Sequence, residues 1–463
     1  MSFSLTGIAS GLDTATIVSQ LMQLEKIPYT KLETKQSTLN SQLSAVRSIN
    51  TKLNTLRSAA EDLLLKSNFN LRSASNSDES VVKATVSEYA AETTYQINVT
   101  QLATQHIVKS KAFDNNSTLT GTIEINGHKF ILANAGDEPD AGENETVLTI
   151  EPDMSYDQVL TKLMDAVNDK KLGVKASLVS TTPDSKTLVL TSEKFGAANK
   201  ITFNEGGTFD LKPVDGSGQN AVLTINGIDI EASSNDLSNV ITGLSLTLHK
   251  IGESTITVTK DADKIAEKVE AFVKAYNDVI TTIKSNTAKG KTLQGDATLR
   301  SLESYLNGIF NREVGDENSS GLRYLFEIGL EIDKGVTSSS SMTGTIKFDK
   351  EKFKAALAEK PDEVYQLFAM DDADHPNKSG IARQFKDSLM EWTRSGSGIL
   401  AAKIEGYDSQ IAFVKKQMES MEARLTLKEE QLKKQFAAME TALASLQSQQ
   451  SWLMSQISSL SLY

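Results

Sequence analysis

The sequence lacks several features that catalysis or membrane insertion would need. None of its 463 residues is a cysteine, so disulfides, thiolate nucleophiles and Cys-ligated zinc are impossible. Histidine, the commonest general base and metal ligand, occurs four times, widely scattered at His106, His128, His249 and His375. No run of about 18 apolar residues could span a membrane. We therefore expect a protein that is not an enzyme and has no cofactor or metal.

The charge balance and the first residues limit the partners and the route of export. The chain has 48 basic and 60 acidic residues, a formal net charge of -12. Because Lys and Arg supply most of the affinity for phosphates, a nucleic-acid partner is not expected. Residues 1–20 have no basic region followed by a long apolar run, so no cleavable secretory signal is predicted.

The C-terminal part is predicted to be a long coiled-coil helix. All seven prolines precede residue 377, so nothing after that point breaks a helix. Lys428 and Gln450 are assigned to core positions of the seam, and the four-residue step from Leu432 to Phe436 is read as a stutter. The apolar residues recur in a/d steps; they are Ile411, Val414, Met418, Met421, Leu425, Leu432, Phe436, Met439, Leu443, Leu446, Leu453, Ile457 and Leu460.

Two shorter apolar stripes follow the N-terminus. The first contains Ile17, Leu21, Leu24 and Ile27 and is expected to be interrupted by Pro28. The second runs from residue 39 to residue 63, where a bundle core within the chain is the favoured interpretation. Because one amphipathic helix cannot bury its own stripe, the C-terminal helix is the simplest partner for these segments.

Residues 72–260 change to the two-residue period of β-strands. Asn126-Gly127 and Asn226-Gly227 lie between alternating apolar residues, the strongest short signal for a hairpin. Residues 137–157 hold eight carboxylates and no Lys or Arg, which indicates a solvated loop. A helix is predicted at residues 156–168, and helices return after residue 261.

Other motifs give little support for a ligand site. Gly290-Lys291-Thr292 resembles the end of a phosphate-binding loop, but Ser285 stands where that motif needs glycine. Asp371, Asp372 and Asp374 lack the glycine and terminal glutamate of a calcium loop, so a solvated turn is favoured.

These patterns predict an α+β fold in which a helical coiled coil or bundle from both chain ends carries inserted β-rich domains. The expected segments are an N-terminal coiled coil at 1–42, helical bundle at 43–71, β-rich domain at 72–108, an inserted variable β-rich domain at 109–216, β-rich domain at 217–260, a helical bundle with a small hairpin at 261–410, and a C-terminal coiled coil at 411–463.

Three separate segments carry a resemblance to a known family. Residues 7–13, Gly-Ile-Ala-Ser-Gly-Leu-Asp, open a stretch that continues through Pro28 and Leu32. A second block runs from Ile328-Gly329-Leu330 to Leu367-Phe368, and the paired Ile-Asn-Gly segments resemble a motif of flagellar hook and cap proteins. In this order, the matches resemble the flagellar filament cap (hook-associated protein 2) family.

The resemblance implies a structural protein at the distal tip of the bacterial filament, extracellular and exported by the flagellar type III system without cleavage. It implies a ring-like homo-oligomer that promotes folding and insertion of flagellin and prevents its loss. Hook-associated junction proteins and a cytoplasmic export chaperone at the C-terminus are further expected partners. Two alternatives stay open: another axial protein at the hook–filament junction, and a surface adhesin carried at the tip.

Overall fold

The computed structural model describes residue 11 and residues 13–137, 139–316, 321–338 and 341–460, which form two compact units. The helical unit comprises residues up to 69 and from 262 onward, whereas the β-rich unit comprises residues 70–261. Among the described helices, none has a segment long and apolar enough to cross a bilayer.

The described helices are α1 (Thr14–Asp62), α2 (Tyr156–Asp169), α3 (Ala262–Thr287), α4 (Ala297–Phe310), α5 (Lys350–Glu359), α6 (Pro361–Ala369), α7 (Ile381–Thr393) and α8 (Ile399–Leu460). The strands of the β-rich unit are β1 (Arg72–Asn76), β2 (Val82–Val86), β3 (Thr94–Gln101), β4 (Gln105–Asp114), β5 (Gly121–Ile125), β6 (His128–Asn134), β7 (Glu145–Ile150), β8 (Val174–Thr182), β9 (Ser185–Phe195), β10 (Phe203–Glu205), β11 (Lys212–Pro213), β12 (Ala221–Ile225), β13 (Ile228–Ala232), β14 (Asp236–Ile241), β15 (Leu244–Leu248) and β16 (Gly252–Lys260). Two short strands, β17 (Leu330–Ile332) and β18 (Ile346–Phe348), form a hairpin in the helical unit.

The helical unit is built on its two longest helices. α1 packs against α3, α7 and α8, and its large apolar residues from Leu43 to Leu56 are almost fully buried. The expectation that Pro28 interrupts the first stripe is wrong, because α1 continues through it without a break. A proline removes one hydrogen bond from a helix, and a helix of 49 residues packed along its length retains enough others. The expected boundaries at 42/43 and 410/411 both fall inside continuous helices.

The β-rich unit contains two hydrophobic cores. One core lies between the five-stranded sheet β1-β16-β3-β12-β13 and the three-stranded sheet β14-β15-β2. The other lies among the sheet β10-β5-β6-β7, the sheet β11-β4-β9-β8 and helix α2. The second core belongs to a domain inserted between β3 and β12, which we call the inserted domain, residues 105–218.

The two ends of the inserted domain lie side by side. The backbone N–H of Thr104 donates to the carbonyl oxygen of Gln219 at 2.9 Å, and the N–H of Gln219 donates to the Thr104 hydroxyl at 3.0 Å. Within this domain His106 is buried, and its Nδ1 accepts a hydrogen bond from the N–H of Ile201 at 2.9 Å. Burial, together with the nearby charge of Lys200, lowers the pKa of His106.

Both predicted Asn-Gly hairpins are confirmed. Asn126 and Asn226 have positive φ, as do the glycines that follow them, which is the backbone that a two-residue turn requires. Each asparagine also bonds to neighbouring backbone, because its side-chain oxygen accepts from Thr202 N in one turn and from Gln96 N in the other. The same side-chain contact therefore ties each hairpin to the chain beside it.

Candidate functional site

The candidate site is the pair formed by α1 and α8. Arg47 Nη2 of α1 lies 2.9 Å from a carboxylate oxygen of Asp408 on α8. Towards the start of α1, Val18 and Met22 form a cluster with Leu425, far along α8. The contacts therefore run in opposite directions along the two chains, and the helices pack antiparallel.

The start of α1 is fixed by a capping residue. Asp13 accepts hydrogen bonds from the Thr16 backbone N–H at 3.0 Å and from the Thr16 hydroxyl at 2.5 Å. These bonds lower the pKa of the Asp13 carboxyl. Of the expected family opening, residues 7–10 and 12 lie outside the described part of the chain, whereas Gly11 has the positive φ of 68°.

The predicted seam residues of α8 occupy three different environments. Val414 and Leu425 are buried, and the seam residues beyond Leu443 are exposed: Leu446 by 59%, Leu453 by 54% and Ile457 by 54%. The side chain of Leu460 lies outside the described residues. The half-buried members are Ile411, Met418, Met421, Leu432, Phe436, Met439 and Leu443.

The register explains where burial ends. Arg47 faces Asp408, and both helices rise about 1.5 Å per residue, so Thr14 lies opposite roughly residue 441. Past that point, no described residue of α1 accompanies α8. The part of α8 from residue 442 onward contains no Asp, Glu, Lys or Arg. It is an apolar and uncharged helical segment whose side chains are mostly exposed in the described structure.

The predicted N-terminal stripe largely faces away from α8. Ile17 is half-buried, Leu21 is 37% exposed and Leu24 is 64% exposed. The residues that contact α8 are Val18 and Met22, with Tyr29 packed partly against them. The described pair therefore has two apolar rows on α1, an inner row in contact with α8 and an outer row open to solvent.

The sequence contains a seven-residue repeat that identifies the inner row, and the prediction from the sequence did not use it. Leu39, Leu43 and Val46 are buried, and stepping back from them by seven residues at a time reaches Leu32, Tyr29, Met22 and Val18. The outer row, with Ile17, Leu21 and Leu24, is out of phase with that repeat. Continuation of the Leu39 stripe, rather than local hydrophobicity, distinguishes the two rows.

The interruption of the α8 seam also differs from expectation. Lys428 is exposed, and the half-buried Glu429 takes the place between Leu425 and Leu432. The four-residue step that relaxes the supercoil therefore follows Leu425. Hydrogen bonding and attraction from Lys433 lower the pKa of Glu429, and attraction from Lys26 on α1 adds to this. Gln450, the second assigned core polar residue, is exposed.

The weaker motifs have local structural roles. Asp371 pairs with Arg383, and Asp372 accepts a hydrogen bond from the backbone N–H of His375. Gly290 N–H donates to the side chain of Gln294 in a turn after α3. In the part of the chain that the structure describes, no cluster of His, Asp and Glu is arranged to hold a metal ion.

Comparison with known proteins identifies relatives along nearly the whole chain. The family models for the N-terminus and the C-terminus of flagellar hook-associated protein 2 match residues 10–106 and 218–448. The A-type flagellar hook-associated protein 2 of Pseudomonas aeruginosa is 25% identical over 503 residues, covering 99% of this chain and 98% of that protein. Flagellar hook-associated protein 2 of Escherichia coli strain K12 is 27% identical over 485 residues, covering 98% of each.

A solved structure supports the same similarity. The crystal structure of the D1-D2-D3 domains of the flagellar cap protein FliD from Escherichia coli has a TM-score of 0.56 with this chain, at 25% identity. The match covers 79% of this chain and 99% of that one. The arrangement of helices and inserted β-rich domains is therefore shared with a flagellar cap protein.

Proposed function

Because this chain belongs to the flagellar hook-associated protein 2 family, we propose that it is the structural cap at the distal end of a bacterial flagellar filament. In that position it promotes folding and insertion of exported flagellin and prevents flagellin from being lost. The observation that carries the proposal is the match to a flagellar cap protein over 99% of that protein's solved length.

The proposed cap works by binding and release, without catalysis. Its terminal helices offer partner helices a row of apolar side chains that water otherwise contacts. Leu21, Leu24 and Ile27 are 37%, 64% and 49% exposed, and full burial of a leucine or isoleucine is worth about 1.5–3 kcal/mol. Several such contacts hold a subunit in place, yet each is small enough to be exchanged singly when the cap moves.

The partners of this cap follow from its position. We propose that several copies form a ring at the filament tip and that incoming flagellin and the hook-associated junction proteins contact its terminal helices. Before export, a cytoplasmic chaperone would cover the uncharged C-terminal segment of α8. The chain would leave through the flagellar type III channel without a cleaved signal peptide and function outside the cell.

The proposal is tested by measuring flagellin in the growth medium of a strain from which this gene is deleted. We expect abundant unpolymerised flagellin, no filaments, and rescue by the intact gene. A copy ending before Ile411 should fail, and so should a copy ending before Leu446, which loses only the exposed end of α8. Normal filaments in the deletion strain, with lost attachment to surfaces, would contradict the cap function and favour an adhesin.

A copy with Lys83→Glu provides a matched control for the truncations. Lys83 is exposed on β2 and belongs to the β-rich unit, so the terminal helices are unaltered. This variant should restore filaments as well as the intact gene does. Equal failure of the control and the truncations would mean that export or folding, rather than the terminal helices, limits rescue.

A further inference from the structure

The inserted domain has a sheet face on which lysines accumulate. Lys109 and Lys111 on β4, Lys175 on β8 and Lys212 on β11 are all exposed, and we call these four residues the lysine face. Lys109 lies directly opposite Lys212 in the β4–β11 pair. Like charges in that position destabilise a sheet, so the arrangement has a local cost that folding alone does not explain.

The lysine face is the outer side of the sheet. Val108, Ala176 and Leu190, which alternate with the outward residues, are buried in the core of the inserted domain. Across the four strands, Ser177, Val189, Lys109 and Lys212 lie in one register row. In this row the outer side carries two lysines beside Ser177 and Val189, and it faces away from the core of the inserted domain.

In the part of the chain that the structure describes, most of the lysines on this face have no carboxylate partner. Asp210 lies 2.9 Å from Lys212, and Lys111 lies over the ring of Phe113, 5.6 Å from its centre. Among the described residues, Lys109 and Lys175 form no ion pair. Such a surface attracts an acidic partner.

The same domain supplies an acidic surface on its other sheet. β6 and β7 run parallel, with Asn134 in register with Ile150, so the residues that follow both strands lie at one end of the sheet. Asp137, Glu151 and Asp153 are exposed there, and we call these three the acidic rim. In the described structure, none of the four lysines pairs with a carboxylate of the acidic rim.

We propose that the lysine face of one copy docks on the acidic rim of a second copy, head to tail. This inference rests on the proposed ring of cap subunits and names the surfaces that join its members. Two different patches that complement each other form a heterologous contact, which builds a ring when the rotation between successive copies closes. Copies with a net charge of -12 repel one another unless such opposite patches face each other.

Both surfaces lie in the inserted domain, outside the two segments that the family models match. Residues 107–217 lie between the two family-model matches. The lysine face and the acidic rim therefore follow from this sequence and its structure, and a relative with a different inserted domain would need different contacts. The partner is a second copy of the chain, because the complementary charges are present on the same molecule.

The test compares self-association of the full-length chain with that of charge-reversed variants, by sedimentation velocity at low and high ionic strength. Lys109→Glu/Lys111→Glu and, separately, Glu151→Lys/Asp153→Lys should each weaken association by about tenfold or more, since attraction becomes repulsion. A chain carrying all four substitutions should recover most of the affinity. The wild-type affinity should fall with added salt.

A control and a folding check keep the result decisive. Lys83→Glu/Lys170→Glu changes the net charge equally at two exposed lysines outside the lysine face and should leave association unchanged. Circular dichroism identifies any variant that fails to fold. If Lys109→Glu/Lys111→Glu does not fold, Lys109→Gln/Lys111→Gln replaces it, and this neutral variant should weaken association by a smaller factor than the charge reversal.

The proposal is overturned if the wild type assembles and neither charge-reversed double variant weakens the assembly. It is also overturned if the chain carrying all four substitutions associates as weakly as the two double variants. In those cases the cap function still stands, because rescue of filament growth is measured separately. A wild type that remains monomeric at all concentrations refutes both the docking and the proposed ring. Loss of binding to an anionic polysaccharide, with assembly intact, would assign the lysine face to that ligand instead.

Discussion

Leu425 and Leu427 lie two residues apart on α8 and differ sharply in environment. Leu425 is 8% exposed and belongs to the apolar cluster between α1 and α8 that also includes Tyr29 of α1, whereas Leu427 is 67% exposed. Replacing each by alanine removes the same atoms from the same helix. The two variants therefore separate the contact between α1 and α8 from any general effect on helix formation.

The size of the effect follows from burial. Leu→Ala in a protein core costs about 2–5 kcal/mol, and a seam between two helices is at the lower end because water reaches its sides. We expect Leu425→Ala to lower the free energy of separating the helix ends by about 2 kcal/mol. Leu427→Ala should change it by less than about 0.5 kcal/mol, as exposed substitutions usually do.

Hydrogen exchange measures this free energy locally. Most amides of residues 14–30 are hydrogen-bonded within α1 and exchange when this end leaves α8 and unwinds. Their exchange therefore reports the local opening without unfolding of the rest of the helical unit. With about 1.4 kcal/mol for each factor of ten, Leu425→Ala should speed their exchange about 30-fold, and Leu427→Ala should leave it nearly unchanged. Equal acceleration by both variants, or none by Leu425→Ala, would refute the assigned inner row.

Three further outcomes are expected. The unfolding free energy of the inserted domain should fall as the pH drops below about 6.5, because burial lowers the pKa of His106 and the unfolded histidine binds the proton first. Chemical denaturation at about pH 7.5 and about pH 5.5 measures this difference, and equal stabilities at the two pH values would contradict it. Lys403→Met should lower the unfolding free energy in urea by about 2 kcal/mol, because Asp296, which lies 2.6 Å from Lys403 and is 11% exposed, would lose its cation. A change below about 0.5 kcal/mol would show that this ion pair is dispensable. Gly243→Ala should destabilise the β-rich unit by about 3 kcal/mol in thermal unfolding, because φ is +76° and the new methyl would collide with the backbone nitrogen of Ala90. Gly136→Ala, in open space, should cost about 1 kcal/mol, and equal costs would argue against the close contact.

Local features of this chain could be predicted from the sequence because their causes are local. The steps of three and four residues after Ile411 predict a helix whatever it packs against, and α8 runs through all of them. Asn126-Gly127 and Asn226-Gly227 predict two-residue turns because these residue types accept positive φ, and both turns are present. The α+β fold with helices at both ends followed from the same patterns.

The choice between neighbouring apolar rows required the tertiary structure. Ile17-Leu21-Leu24 and Val18-Met22-Tyr29 have similar spacing, so periodicity alone does not identify the row in contact with α8. That choice depends on the phase set farther along α1, where Leu39, Leu43 and Val46 are already buried. The half-buried position of Glu429 instead of Lys428 has the same origin, because one residue of phase turns a side chain by about 100° around the helix.

Sequence patterns also could not predict which distant strands pair with each other. β3 pairs with β12 and β16, although residues 105–218 intervene between β3 and β12. The lysine face depends on such pairings, since Lys109 and Lys212 are 103 positions apart in the sequence and adjacent in the sheet. The sequence by itself determined the helices, the turns and the alternation of the strands, because those depend on neighbouring residues. The tertiary structure decided which faces meet, because long-range register depends on packing of the whole domain.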